Sequence, residues 1–131
     1  MINISQASDR SGLPAKTIRY YEDIGLLVPD RGENGYRTFS HDHVQMLHFL
    51  KRARDLGFTI DDCRALLGLY TDQNRASAEV KAIAQRHLTE IDLKIEQLKS
   101  MRKTLGLLVH ACDGDHRPSC PILDNLAGEK Q

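Results

Sequence analysis

Two thiols near the end of the chain are the residues best placed for chemistry. Cys112 and Cys120 stand with seven residues between them in Cys112-Asp-Gly-Asp-His-Arg-Pro-Ser-Cys120-Pro-Ile-Leu. Gly114 and Pro118 make this a loop that leaves a helix end and returns. A thiol pair in a reducing compartment has three uses: metal ligation, a reversible disulfide, or none. The loop lacks the four ligands of a structural zinc site, and two thiolates alone suit a soft monovalent ion such as Cu(I). Pro121 then opens a short apolar turn. Its helical N-terminus would point partial positive charge at Cys120 and favour the thiolate. His110 and His116 flank the pair, but a histidine beside a loop is ordinarily solvated, and neither is read as a ligand. Cys63 is different, because it falls on an apolar helical stripe and reads as a buried small hydrophobe.

A second constellation lies near the start. Lys16, Thr17, Arg19 and Tyr20 fall along one side of a short predicted helix, with Arg10 at the end of the helix before it. Arginine and lysine there can reach base edges or phosphates, and tyrosine can pack on sugars. The same spacing also fits a plain solvated face.

The elements that must hold these residues follow from caps and breakers. Ile2 and Ile4 bracket a short extended start, and Ser5 is the expected N-cap of a helix ending near Gly12. Leu13-Pro14 opens a second helix over 15–24, stopped by Gly25. Two short helices about a Ser11-Gly12-Leu13 turn make a helix-turn-helix. Asn34-Gly35 is a pair whose positive φ suits a tight hairpin, placing Tyr36 and Arg37 in a wing. Ser40 caps a helix with Val44, Leu47, Leu50 and Ala53 on one face, ending at Gly57. Thr59 caps another, with Asp62 in the capping-box position and Ile60, Cys63, Leu66 and Leu67 facing its partner. A polar connector, 71–77, leads into a proline-free stretch over 78–110.

That stretch keeps a heptad beat. Ala84, Leu88, Ile91, Ile95, Leu98, Leu105 and Val109 fall at alternating four- and three-residue steps, broken only by Arg102, where Met101 lies beside the seam. Glu90, Lys94, Glu96 and Lys99 flank a stripe narrow enough for a two-helix seam. At about 1.5 Å per residue the helix is roughly 50 Å long, so a second copy is the natural cover.

Thr17-Ile-Arg-Tyr-Tyr-Glu-Asp-Ile-Gly-Leu-Leu, Asn34-Gly-Tyr-Arg and Arg52-Ala-Arg-Asp-Leu-Gly-Phe together resemble the MerR family of transcription regulators. The likeness covers nearly the whole chain. It implies a mainly α architecture: a winged helix-turn-helix head, a connector helix pair, a long antiparallel coiled-coil dimerisation helix and a short C-terminal metal-binding loop. Carried over, Arg19 and Tyr20 belong to the recognition helix and Tyr36 and Arg37 to the wing contact. Tyr21 packs beneath the helix, and Arg52 and Arg54 are weaker candidates for phosphate contacts. The tail Ala111-Cys-x7-Cys-Pro-Ile is similar to that of the copper-responsive branch, whose two cysteines bind Cu(I), and often Ag(I) or Au(I). Zinc- and lead-type relatives carry a cysteine, supplied by the partner subunit, where this chain has Ser77. Some copper-branch members end in an extra Cys- and His-rich tail, which Gly128-Glu-Lys-Gln does not provide.

Lysine plus arginine and aspartate plus glutamate balance at 18 each, and the first sixty residues hold eight basic against seven acidic side chains. DNA binding must therefore come from local placement of charge. No run approaches 18 apolar residues and no basic-then-apolar leader is present, so a cytoplasmic protein without a membrane partner is expected. Three cysteines, an odd number, argue against a disulfide framework.

The expected organisation is a DNA-binding domain with connector helices over 1–70, connector and coiled coil over 71–110, and metal loop and tail over 111–131. The expected function is a homodimeric copper(I)-responsive activator that is not an enzyme. It would bind promoter DNA with an inverted repeat and act on RNA polymerase by distorting the promoter of copper efflux or detoxification genes. The competing readings are a thiol redox sensor using Cys112 and Cys120, and a divalent zinc sensor of the same family.

Overall fold

The first helix begins earlier than its most obvious cap suggests. In the computed structural model, which describes residues 1–115 and 117–128, Asn3 and not Ser5 is the N-cap of α1 (Ile4–Ser11). Asn3 Oδ1 accepts from the Gln6 N–H at 2.8 Å, and Gln6 Oε1 accepts from the Asn3 N–H at 3.0 Å. A reciprocal box satisfies two orphan donors at once, whereas Ser5 alone would satisfy one. Gly12, at φ +77°, closes the helix through its N–H to the Ser8 carbonyl. This left-handed turn sends the chain into α2 (Ala15–Asp23), with Pro14 at the N-cap.

The wing is two short antiparallel strands, β1 (Asp30–Arg31) and β2 (Arg37–Thr38), with Asp30 opposite Thr38 and Arg31 opposite Arg37. Its turn is longer than the expected two-residue type. Gly32 donates to the Tyr36 carbonyl, Gly35 donates to the Gly32 carbonyl, and Gly35 alone takes positive φ. Asn34 instead accepts the Tyr36 N–H on its side chain at 3.1 Å. That local bond holds the turn without placing a non-glycine residue in the left-handed region. Beyond β2, Phe39 exchanges both backbone bonds with Ile2, so the extended start is fastened to the root of the wing.

Ser40 caps α3 (His41–Asp55), and His43 serves as the return partner of its box. Thr59 caps α4 (Ile60–Thr71), accepting the Asp62 N–H at 3.1 Å. The core is built from α1 to α4 and the segments that join them. Ile18, Leu27, Phe39, Leu47, Leu50 and Cys63 are its most deeply buried large side chains. Burial raises the Cys63 thiol above its ordinary value, as an apolar packing role requires. Arg64 of α4 donates to the Ile24 carbonyl at 2.8 Å, tying α4 to the end of α2.

Two compact units divide the chain, Met1–Ala84 and the part from Gln85 onward. The second holds most of α5 (Ser77–Ala111), the cysteine loop and α6 (Pro121–Leu126). On α5 the apolar stripe is open: Leu88, Ile95, Leu98, Met101, Leu105 and Val109 are all exposed, Leu98 by 61%. No helix of the described residues is long and apolar enough to cross a membrane.

Candidate nucleic-acid interface and metal loop

The helical turn of α2 sorts its side chains into two sets. Ile18 and Tyr21 point into the core, and Tyr21, 4% exposed, has its phenol raised by burial. Lys16, Arg19 and Tyr20 face out and Thr17 is half-buried. Arg19 shares a cleft of about 640 Å³ with Asn34, Tyr36 and Arg37 of the wing, and with Asn3 and Ser5 of the chain start. The structure thus brings part of the expected recognition helix and both expected wing residues to one surface. Arg10 and Arg52 are also exposed. Arg54 is exposed too, but its guanidinium donates to the Phe58 carbonyl at 2.6 Å and to the Tyr21 phenol.

Arg37 does not stand free beside Tyr36. Its Nε donates to Glu22 Oε2, while Arg31 Nη2 donates to Glu22 Oε1 at 2.7 Å. Arg31 also donates to the Gly35 carbonyl at 3.1 Å. Burial pushes the Glu22 carboxyl up, but Arg37 and then Arg31 outweigh it and hold the group below its ordinary value. Neither Glu22 nor Arg31 stands out in the sequence. The expected two-residue turn would have set Arg31 opposite Thr38, so the facing of Arg31 and Arg37, and with it the need for a counter-charge, appears only in the observed register.

The cysteine loop starts where α5 ends. The Cys112 N–H donates to the Val109 carbonyl at 3.2 Å, and Cys120 occupies the N-cap position of α6 with Pro121 behind it. Both cysteines are half-buried and neither is in a disulfide. The Cys120 thiol is lowered from its ordinary value, first by the Leu123 N–H, with burial opposing, then by the Ile122 N–H and the Cys112 thiol. The start of α6 thus favours a thiolate at Cys120. Together Cys112 and Cys120 form a soft pair of donors. Among the described residues no group of three or more His, Cys, Asp or Glu side chains could hold an ion. His110 is exposed in the last turn of α5, and His116 lies outside the described residues. Ser77 is the exposed first residue of α5.

An arginine that the sequence did not bring forward shapes this loop. Arg117 donates from its backbone to Asp115 Oδ1 at 2.9 Å, from Nε to Asp115 Oδ2 at 2.7 Å, and from Nη2 to Asp113 Oδ2 at 3.2 Å. Hydrogen bonds from Arg117 lower the Asp115 carboxyl. The Asp-Gly-Asp spacing ahead of an arginine was the available clue.

Comparison with known proteins agrees with this geometry. The family described as MerR HTH family regulatory protein matches residues 2–69, and that described as MerR, DNA binding matches residues 44–108. The HTH-type transcriptional regulator HmrR of Rhizobium leguminosarum bv. viciae is 60% identical over 96% of this chain and 98% of its own length. Heavy metal-dependent transcription regulator 2 of Rhizobium meliloti is 46% identical over 96% of this chain and 86% of its own. The transcription regulator of Ralstonia metallidurans solved in complex with lead(II) superposes with a TM-score of 0.84 at 31% identity, covering 96% and 99% of the two chains. With a winged head, an outward-facing recognition helix and a long apolar-striped helix in place, the chain belongs to the MerR family of DNA-binding transcription regulators and is not an enzyme.

Proposed function

We propose that the protein is a homodimeric regulator that senses copper(I) through Cys112 and Cys120 and activates copper efflux or detoxification promoters by distorting them. One observation carries the choice of metal. The Cys120 thiol, lowered first by the N–H groups that open α6 and then by the Cys112 thiol, belongs to a two-cysteine loop with no cluster of three or more His, Cys, Asp or Glu side chains among the described residues. Two thiolates with one monovalent ion leave about one negative charge, which those N–H groups offset. Ag(I) and Au(I) share that preference. The name of the Rhizobium meliloti relative supports heavy-metal dependence, and the lead(II) complex of the Ralstonia relative favours a divalent runner-up. Against the runner-up stands Ser77, where the resemblance implies a cysteine in zinc- and lead-type relatives.

The exposed stripe of α5 supports dimerisation, because a run of large apolar side chains on one helix calls for cover. A two-fold dimer would set two α2 helices in successive major grooves, about 34 Å apart, over an inverted repeat. Lys16, Thr17, Arg19, Tyr20, Tyr36 and Arg37 would make the contacts. Bending and untwisting the bound promoter for RNA polymerase costs a few kcal/mol, within reach of differential binding between two states.

The deciding experiment is anaerobic titration of the reduced protein with Cu(I) and, separately, Zn(II), each against a competing chelator. One tight Cu(I) per subunit, lost in Cys112→Ser and in Cys120→Ser and unmatched by Zn(II), is expected. Equal or tighter Zn(II) binding would move the protein to the divalent branch, and no tight metal at all would hand the loop to redox chemistry.

A further inference from the structure

Glu22 sits at an unfavourable place for a carboxylate. It is the penultimate residue of α2, where the helix carries partial negative charge, and Asp23 follows it. Yet its side chain is 19% exposed and both of its oxygens are used, one on each wing arginine. Arg31 and Arg37 are direct cross-strand partners, so without Glu22 two guanidinium groups would face each other across the hairpin. Arg37 lines the same cleft as Arg19 and Tyr36, which is the surface assigned to DNA.

We propose that Glu22 is a specificity-determining residue: it occupies the phosphate-binding capacity of Arg31 and Arg37 in the free protein, so that ordinary duplex DNA meets a wing of reduced charge. A carboxylate held between two guanidinium groups presents them with the same fork chemistry as a backbone phosphate. The cluster carries one net positive charge where its arginines alone would carry two. Sequence-independent affinity scales with the number of phosphates neutralised, so this missing charge weakens binding to arbitrary DNA. A matched site keeps its base contacts from α2 and can draw the arginines away from Glu22, so it loses proportionally less. In a chain of zero formal net charge, such local masking decides how much DNA is held without regard to sequence. The inference rests on the wing facing DNA.

The test is the salt dependence of binding to random-sequence duplex DNA, set beside binding to the duplex that the unaltered protein enriches from a random library. Glu22→Gln keeps the side-chain shape and removes the charge. It should raise random-duplex affinity roughly tenfold near 0.1 M salt and steepen the log–log salt slope by about one, while the enriched duplex gains less. Arg31→Gln should make the slope shallower by about one, and the double variant, with the original net charge, should return to it. Glu22→Gln weakening both duplexes alike at unchanged slope would show a strut only and overturn the proposal. Should Glu22→Gln fail to fold, an unchanged slope in Arg31→Gln overturns it equally. Arg37→Ala separates the underlying reading: if it leaves binding to both duplexes unchanged, the wing does not touch DNA and that assignment falls as well. If Arg37→Ala weakens binding while Glu22→Gln gives no gain, only the masking role is lost.

Discussion

The wing and the cysteine loop solve one problem in opposite ways. Each is a short segment with little regular structure, and each is held by arginine–carboxylate pairs. In the wing the carboxylate comes from α2, nine residues before Arg31 and fifteen before Arg37. In the loop, Arg117 reaches only Asp115 and Asp113, two and four residues back. The wing is therefore referenced to the core of the head, and Phe39 at its root is among the most buried residues of the chain. The loop is referenced to itself. Its internal pairs fix its own shape and anchor it to neither neighbouring helix, which would suit the proposed closure of Cys112 and Cys120 around an ion. On the proposed reading, the wing that meets DNA has a fixed frame, and the loop that meets a metal has one that can respond.

The sharpest way to break this contrast is to remove the wing's anchor. Phe39→Ala should cost about 3–5 kcal/mol of head stability, because it empties a fully enclosed aromatic site. Denaturant unfolding would measure it, and a loss under about 1 kcal/mol would mean that the wing is not tied to the core as described. Next in size is Arg117→Ala, which should lower Cu(I) affinity roughly 10- to 100-fold, as loss of groups that orient ligands does. DNA binding without metal and thermal unfolding should stay close to the parent, since substitution at such an exposed site is worth within about 0.5 kcal/mol. Equal damage to DNA binding would show that the loop is anchored elsewhere.

The smallest effect separates the two kinds of pair by acid titration. Glu22 has its folded value held below the ordinary 4.5, so its contribution to stability is complete above that value and is lost as pH falls through the lower folded one. Glu22→Gln should flatten that acid limb of the stability curve. Asp115 is also lowered, but it is exposed and its partner is two residues away, so the pair is largely available to the unfolded chain. Asp115→Asn should leave the acid limb unchanged. A reversed result would mean that the local pair, not the long-range one, is the structural tie.

The same distinction explains what could be read from residue order. Helices α2, α3 and α4 were legible because caps, breakers and apolar spacing are local, and Val44, Leu47, Leu50 and Ala53 are buried as their spacing requires. Cys63 was legible for the same reason, as was the stripe on α5. Misplacing the cap of α1 was an error of choice between two local signals, because Asn3 and Gln6 spell a capping box as plainly as Ser5 offers a single acceptor. The wing turn depended on whether Asn34 would use its backbone or its side chain, which residue type alone does not decide. Glu22 was invisible in another sense. Its role exists only once the hairpin has folded back onto α2 and brought Arg31 and Arg37 into register. Half of the cysteine loop could be read directly, in the two thiols and the helix start that Pro121 announces; only the Asp-Gly-Asp spacing hinted at the Arg117 ties.

The bridge between Ile2 and Phe39 sets a schedule for the growing chain on the ribosome. Ile2 is made first and waits until Phe39 has emerged, and the core closes only when Cys63 and Leu67 of α4 arrive. All of these contacts precede Ser77, so the DNA-reading head can fold as a unit while α5 is still being translated. The sticky stripe of α5 thus appears behind a finished domain, and the proposed pairing of two chains through it would follow the folding of each head.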